Sequence, residues 1–427
     1  MKIKNISFLM LMSSPSILAA SLDEVIQSSL FQNPSVKQAY DNYVNRTHLI
    51  DQAKAGYLPV IDSVAGVGNE RMKYEGNDRT SMTRSELGLT LSQMIFDGMN
   101  TSNNVDRTKS EAEAQKYTLI SQASNTALQV AQSYLDVLRY QELLELAKGN
   151  LVTHEAILAD IEKRTQSGVG SSADLVQTRG RVSQARSNVV AAQNNLSDAE
   201  STYTRYTNLQ AEHLSQPVPD LSLIKGDLDT VKDFALKHHP VLVSAENDIL
   251  ATQHQYEASK SNFYPHVALE AYQYRYNNAD QVDGTLNSSQ IMLRVRYNLF
   301  NGGADIAQKR ATAAQIAEAK DIRMEATRET VEGLSLAWHA RDALKQQKEF
   351  MQSHVVSSND TVLAYRKQFL LGNRSLLDVL NTENELFEAR QNVINATYDQ
   401  LYADYRVLNA SGALLDSIHF KQPQEWN

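Results

Sequence analysis

The chain says nearly the same thing twice. Asn33-Pro34 is followed by Tyr57-Leu58-Pro59, and His239-Pro240 by Phe263-Tyr264-Pro265, so two pairs of prolines recur at a spacing of 206 residues. Phe96-Asp97-Gly98 returns as Phe300-Asn301-Gly302 at a spacing of 204, and Gly168, Ser171 and Asp174 return at the same spacing as Gly372, Ser375 and Asp378. The landmarks keep their order, with one two-residue change between Pro59 and Phe96. A duplicated order constrains the fold more than any single element, because each half must be the same supersecondary unit. The halves run over residues 21–208 and 226–412. Between them, residues 209–225 carry Gln216-Pro217-Val218-Pro219-Asp220, whose prolines suit a linker, and residues 413–427 form a tail.

Each half reads in the same internal order. An opening helix follows Asn33-Pro34 or Pro240, since Pro is favoured at a first helical position, and Pro59 or Pro265 ends it. A hairpin of alternating strands comes next. Leu87, Leu89, Leu91 and Ile95 share one face opposite Glu86, Gly88, Thr90 and Ser92. In the second half Ile291, Leu293, Val295, Tyr297 and Leu299 oppose Met292, Arg294, Arg296 and Asn298. Period two means a strand with one apolar and one polar face. The weaker partner strands run from Ile61 to Met72 and from Val267 to Tyr276, with polar tips at Glu75-Gly76-Asn77-Asp78 and from Asp280 to Asn287.

After the hairpin, residues 101–166 contain no Pro and a single Gly, Gly149. Apolar residues recur there at helical spacing, among good helix formers. A helix of that length extends ~100 Å. Gly168 breaks it and a second helix covers about 172–208. The second half repeats the pattern over about 303–370, a break at Gly372, and 375–411. Helical hairpins this long are what a coiled-coil cylinder needs and a globular core does not.

Composition narrows the class further. With 42% hydrophobic residues the chain is no disordered polymer, and with no Cys it has no disulfide framework, thiolate metal site or lipidated cysteine. A net charge of −9 argues against a nucleic-acid partner. Mean hydropathy is −0.42, too low for a helical membrane protein. The one continuous apolar run, Phe8 to Leu18, follows Lys2 and Lys4 and ends at Ala19-Ala20, which reads as a secretory signal peptide over 1–20. Catalytic signatures are lacking. There is no His-Glu-x-x-His and no P-loop; Gly66-Val67-Gly68 lacks a third glycine, and the His238-His239 pair stands alone. The expectation is no enzyme, no cofactor and no metal.

Two isolated hairpins with apolar faces are not stable alone. Either they pack on a soluble core, or they close into a barrel whose apolar face meets lipid, the open route for an exported chain without a hydrophobic helix. Four strands are too few, since spanning barrels begin at about eight. Copies must therefore combine: two give eight strands, three give twelve. Glu86, Arg294 and Arg296 then face a watery lumen. Tyr272, Tyr274 and Tyr276 on one face are either girdle aromatics or ordinary strand packing.

At this point the chain resembles the TolC family of outer-membrane channels. The likeness rests on the repeat, Asn33-Pro34, Tyr57-Leu58-Pro59, Phe96-Asp97-Gly98, Phe300-Asn301-Gly302-Gly303 and the stretch from Gly372 to Leu380. It implies a mainly α homotrimer. A twelve-stranded transmembrane β-barrel sits in the outer membrane, continued by a twelve-helix barrel across the periplasm, with the linker and tail around its waist. It further implies a gate at the periplasmic turns. Asp378 matches a ring of acidic residues, and Asn381 stands where a second acidic residue is expected. Arg374 matches an arginine that ties neighbouring hairpins together, Asp174 fits its partner, and Phe369 replaces a tyrosine. Locally, Ser171-x-x-Asp174 and Ser375-x-x-Asp378 also read as helix caps with an acid facing the helix dipole.

The resemblance points to a passive exit duct with a periplasmic adaptor and an inner-membrane transporter, of ABC type if the duct serves type I protein secretion. The stretches Asn33 to Arg71 and Gln177 to Thr207 look most like secretion members, and many drug-efflux members carry a lipidated Cys that this chain lacks. The alternatives are the outer-membrane component of a multidrug efflux pump and a non-channel periplasmic coiled coil.

Overall fold

A computed structural model describes residues 21–72 and 80–426. The expected signal peptide and the Glu75-Gly76-Asn77-Asp78 turn lie outside the described residues. The repeat is now geometry. The first half contains α1 (Leu22–Gln32), α2 (Pro34–Lys54), β1 (Val60–Met72), β2 (Thr80–Phe96), α3 (Asn100–Gln166) and α4 (Ser172–Thr207). The second contains α5 (Leu228–His238), α6 (Pro240–Ser259), β3 (His266–Asn277), β4 (Thr285–Arg296), α7 (Ala304–Leu370) and α8 (Leu376–Ala410), followed by a short α9 (Leu414–Ser417). Helices α3 and α7 are each 67 residues long, and both are followed by a tight turn.

The proline-started helices are present, each with a helix before it that the sequence did not mark, and the hairpin bounds need correcting. Helix α1 is fixed by a capping box between Ser21 and Glu24, and α5 by Asp227, whose side chain accepts from Thr230 N–H. The last strand ends at Arg296, so Tyr297, Asn298 and Leu299 are outside it. The turn expected from Asp280 to Asn287 is shorter, because a 3-10 turn occupies Ala279–Gln281 and β4 already starts at Thr285.

The chain divides into two compact units. One comprises Gln38–Ile120 and Pro240–Glu329 and holds a four-stranded antiparallel sheet in the order β1-β2-β3-β4. The central pairing, β2 with β3, joins the hairpins of the two repeats, leaving β1 and β4 as open edges. Register sorts the side chains. Leu87, Leu89 and Leu91 lie on one face with Val267, Leu269, Ile291 and Leu293. These apolar residues stand in the open, with Ile291 77%, Leu293 62% and Leu87 60% exposed. A continuous apolar face of this kind needs a nonaqueous partner.

The opposite face is polar. Glu86 pairs across the sheet with Tyr276, Gly88 with Tyr274 and Thr90 with Tyr272. The three tyrosines therefore belong to the polar face, and the girdle reading is corrected. Gly88 makes this possible: a Cβ there would lie 2.1 Å from Tyr274 Cε1. The rings run as a file, with centroids 5.5 Å apart between Tyr272 and Tyr274 and 5.4 Å between Tyr274 and Tyr276.

The other unit runs to Lys37 and includes Ser121–His239 and everything from Thr330 on. Its core is built from Leu22, Ile26 and Leu30 of α1, Tyr134 and Leu135 of α3, Tyr203 of α4, and Tyr405 and Leu408 of α8, all fully buried. The linker is held here, since Tyr134 Oη donates to the Ser215 carbonyl at 2.6 Å and accepts from Ser215 N–H at 2.9 Å. The tail is held by Phe420, whose ring lies 5.8 Å from Phe31 and 5.6 Å from Trp426. Among the described residues no helix is long and apolar enough to cross a membrane.

Candidate functional site

Both helical hairpins turn on a glycine. Gly168 has φ +78° and Gly372 φ +77°, left-handed conformations that side chains resist. The freed carbonyls are satisfied locally: Val169 and Gly170 N–H donate to the Arg164 carbonyl, and Asn373 N–H to that of Gln368. A serine then starts each returning helix, but the two caps differ. Ser375 makes a full capping box, its Oγ accepting from Asp378 N–H at 3.2 Å while the Asp378 carboxylate accepts from Ser375 N–H at 3.4 Å. Ser171 accepts from Ala173 N–H at 3.1 Å, and Asp174 sits in the first turn without closing a box. Asp174 is thus the acid left available at its turn.

The other sequence-selected residues separate into contacts within one chain. Arg374 donates from Nε to Gln368 at 3.0 Å, lies over the Tyr365 ring at 4.2 Å, and brings Nη1 to 3.9 Å from Asp378. It is not brought together with Asp174 inside a chain. Asn381 is engaged by α4, because Arg181 Nη2 donates to its Oδ1 at 2.9 Å. Phe369 packs with Ile157, Ile161, Leu175, Leu376 and Leu380, a cluster drawing on all four long helices, and Arg164 stacks on its ring at 5.1 Å. A tyrosine hydroxyl has no counterpart here; the ring contributes packing and a cation–π contact.

On the sheet, Glu86 shares Arg84 with Glu70: Arg84 Nη2 is 3.0 Å from Glu86 and Nη1 is 3.1 Å from Glu70. Arg294 Nε pairs with Glu270 at 2.6 Å, and Arg296 stands opposite His266 on the same polar face. Charges of both signs on one face suit a water-filled interior.

Sequence reasoning missed a layer behind the Phe369 cluster. His154 of α3 is 3% exposed and Glu383 of α8 6% exposed, and the Glu383 carboxylate accepts from Arg366 Nε of α7 at 2.5 Å. A signal was present. Leu376, Leu380, Glu383 and Phe387 follow one another at helical spacing, so a carboxylate interrupts a core stripe.

An open amphipathic four-stranded antiparallel sheet and two very long helical hairpins define a mainly α chain with an uncovered apolar sheet face. The family model described as outer membrane efflux protein matches residues 25–209 and 232–413, and the chain belongs to that family. It is 26% identical over 368 residues to the outer membrane efflux protein BepC of Brucella suis, covering 85% of this chain and 78% of that protein. It is 21% identical over 301 residues to the alkaline protease secretion protein AprF of Pseudomonas aeruginosa, covering 69% and 63%. Among solved structures, that of CusC superposes with a TM-score of 0.80 at 18% identity, covering 92% of each chain. The TolC resemblance holds. The protein is an outer-membrane channel with a periplasmic extension, of a family whose trimers work with inner-membrane transporters and periplasmic adaptors. The family is one of channels rather than enzymes.

Proposed function

We propose that this channel is the exit duct of a type I secretion system, opened by an ABC-type transporter and its adaptor to pass a polypeptide to the medium. The observation that carries the reading is the presence of two stretches, Asn33 to Arg71 and Gln177 to Thr207, that look most like secretion members. The likeness to a protease secretion protein supports it. In the trimer, three Asp378 carboxylates around the axis repel one another and attract cations. Arg374 and Asp174 of adjacent copies form the latch between hairpins, and Glu86, Arg294 and Arg296 line the barrel interior. The polar sheet face, with its mixed charges, supports that placement. The likeness to an efflux protein favours a second reading, small-molecule efflux.

Deleting the gene and assaying both the culture medium and drug or metal tolerance separates the two. Secretion predicts a lost exoprotein with unchanged tolerance. Lost tolerance with an unchanged medium overturns it in favour of efflux.

A further inference from the structure

The layer behind the turns is polar where a helical bundle is ordinarily apolar. It draws on every long helix of the turn region: His154 of α3 and Glu383 of α8 are buried, and half-buried Arg181 of α4 with exposed Arg366 of α7 and Asn381 of α8 lie at its rim. Glu383 accepts from Arg366 Nε, and Asn381 from Arg181 Nη2. His154 Nδ1 is buried with no hydrogen-bond partner among the described residues. A buried carboxylate held by one ion pair and an imidazole nitrogen left unsatisfied are both costly, and apolar residues of the same volume are often more stabilising. Such a layer suits a place where helices must hold one register and still come apart.

We propose that His154, Arg366 and Glu383 are positioning residues, a clamp that holds the two helical hairpins of one chain in the closed arrangement and releases them when His154 takes up a proton. The proposal rests on the reading of the turns as the gate.

The charges around the imidazole come from each helix packed against it. Glu383 on α8 favours the protonated form; Arg181 on α4 and Arg366 on α7 oppose it. Burial is the largest influence, and it holds the imidazole below its ordinary range. On its own helix the adjacent Glu155 is paired with Arg186 at 2.9 Å. At neutral pH the layer then holds a neutral imidazole and one carboxylate between two guanidiniums. Protonation adds a third cation against that single carboxylate. A histidine depressed in the packed state binds fewer protons packed than unpacked. Its contribution is therefore complete above the ordinary histidine value of ~6.5 and is lost as pH falls through it toward the packed-state value. Acid loosens the clamp.

The test uses the full-length trimer. The chain has no native Cys, so Val169→Cys and Leu371→Cys place spin labels on the exposed turns of the two hairpins. Labelled chain is co-assembled with excess unlabelled chain. Distance distributions and planar-bilayer conductance are read at about pH 7.5 and pH 5.5. The parent is expected to show a longer or broader distance and a several-fold rise in conductance in acid. His154→Gln keeps a polar amide that does not titrate and is expected to lose both responses. Glu383→Gln is expected to raise conductance at both pH values; should it fail to assemble, His154→Gln still decides. An unresponsive parent, or a His154→Gln channel that answers acid as the parent does, overturns the clamp. Acid-shifted distances that vanish in His154→Gln, with conductance flat throughout, uphold the clamp and overturn the gate reading instead.

Discussion

Truncating Leu380 tests whether the apolar cluster at the turns holds the channel shut. Its side chain is 0% exposed and touches a cluster that includes Ile161 of α3, Leu376 of α8, Leu175 of α4 and Phe369 of α7. Leu380→Ala removes most of that contact, and buried Leu→Ala changes cost about 2–5 kcal/mol. Part of the packing survives when hairpins move as pairs. If half of a ~3 kcal/mol loss belongs to the closed arrangement, the closed state loses ~1.5 kcal/mol. That is roughly a tenfold rise in the open population. Single-channel recording of the purified trimer reads this directly, and limited proteolysis of the exposed turns at Val169 and Leu371 reads it independently. Leu380→Met conserves volume, costs less than about 1.5 kcal/mol, and is expected to behave like the parent. A Leu380→Ala trimer that is less stable to heat, yet as silent and as protease-resistant as the parent, refutes the link between this cluster and closure.

Arg374→Ala and Asp174→Ala are each expected to raise resting conductance in a planar bilayer, modestly, because an exposed ion pair is worth only ~0–1 kcal/mol. If both conduct like the parent, they form no latch. Asp378→Asn is expected to weaken cation preference, read as a reversal-potential shift in a salt gradient; an unshifted potential removes Asp378 from the pore. Gly88→Val drives a side chain into the Tyr274 ring, within 2.1 Å of Cε1 at its first atom, and is expected to deplete heat-resistant trimers on a gel. Tyr274→Ala in the same chain restores them; failure of that rescue refutes the packing argument.

What the sequence revealed and what it hid divide along contact range. The long helices were legible because their signals are local: no Pro, good helix formers, and a glycine at each turn. The expected span of 101–166 became Asn100–Gln166. The short helices α1 and α5 were not. Each is 11 residues long and ends next to a residue before proline, where the proline of the next helix dominated the reading. The placement of Tyr272, Tyr274 and Tyr276 was ambiguous for a different reason. Alternation shows that they share a face, but which face follows from the register of β3 against β2, a pairing between repeats that lie far apart in sequence.

Asn381 and Glu383 show how function and packing trade places at the turns. By position, Asn381 was expected to mark a weakened acidic ring, yet it receives Arg181 from α4 and so connects the two hairpins. The neighbouring acid, Glu383, is turned inward to Arg366. The negative charge near this turn is therefore split between Asp378, part of a cap, and Glu383, part of a buried layer. An apolar layer alone would favour one packed arrangement by hydrophobic burial and resist opening to the same degree. A polar layer adjoining it fixes register through directional bonds while contributing little net stability, since the cost of burying the Glu383 charge offsets what its exposed partner Arg366 supplies. On the proposed reading of the turns as the gate, closure then depends on geometry more than on total burial, the condition under which a docking partner opens it and it closes again unaided.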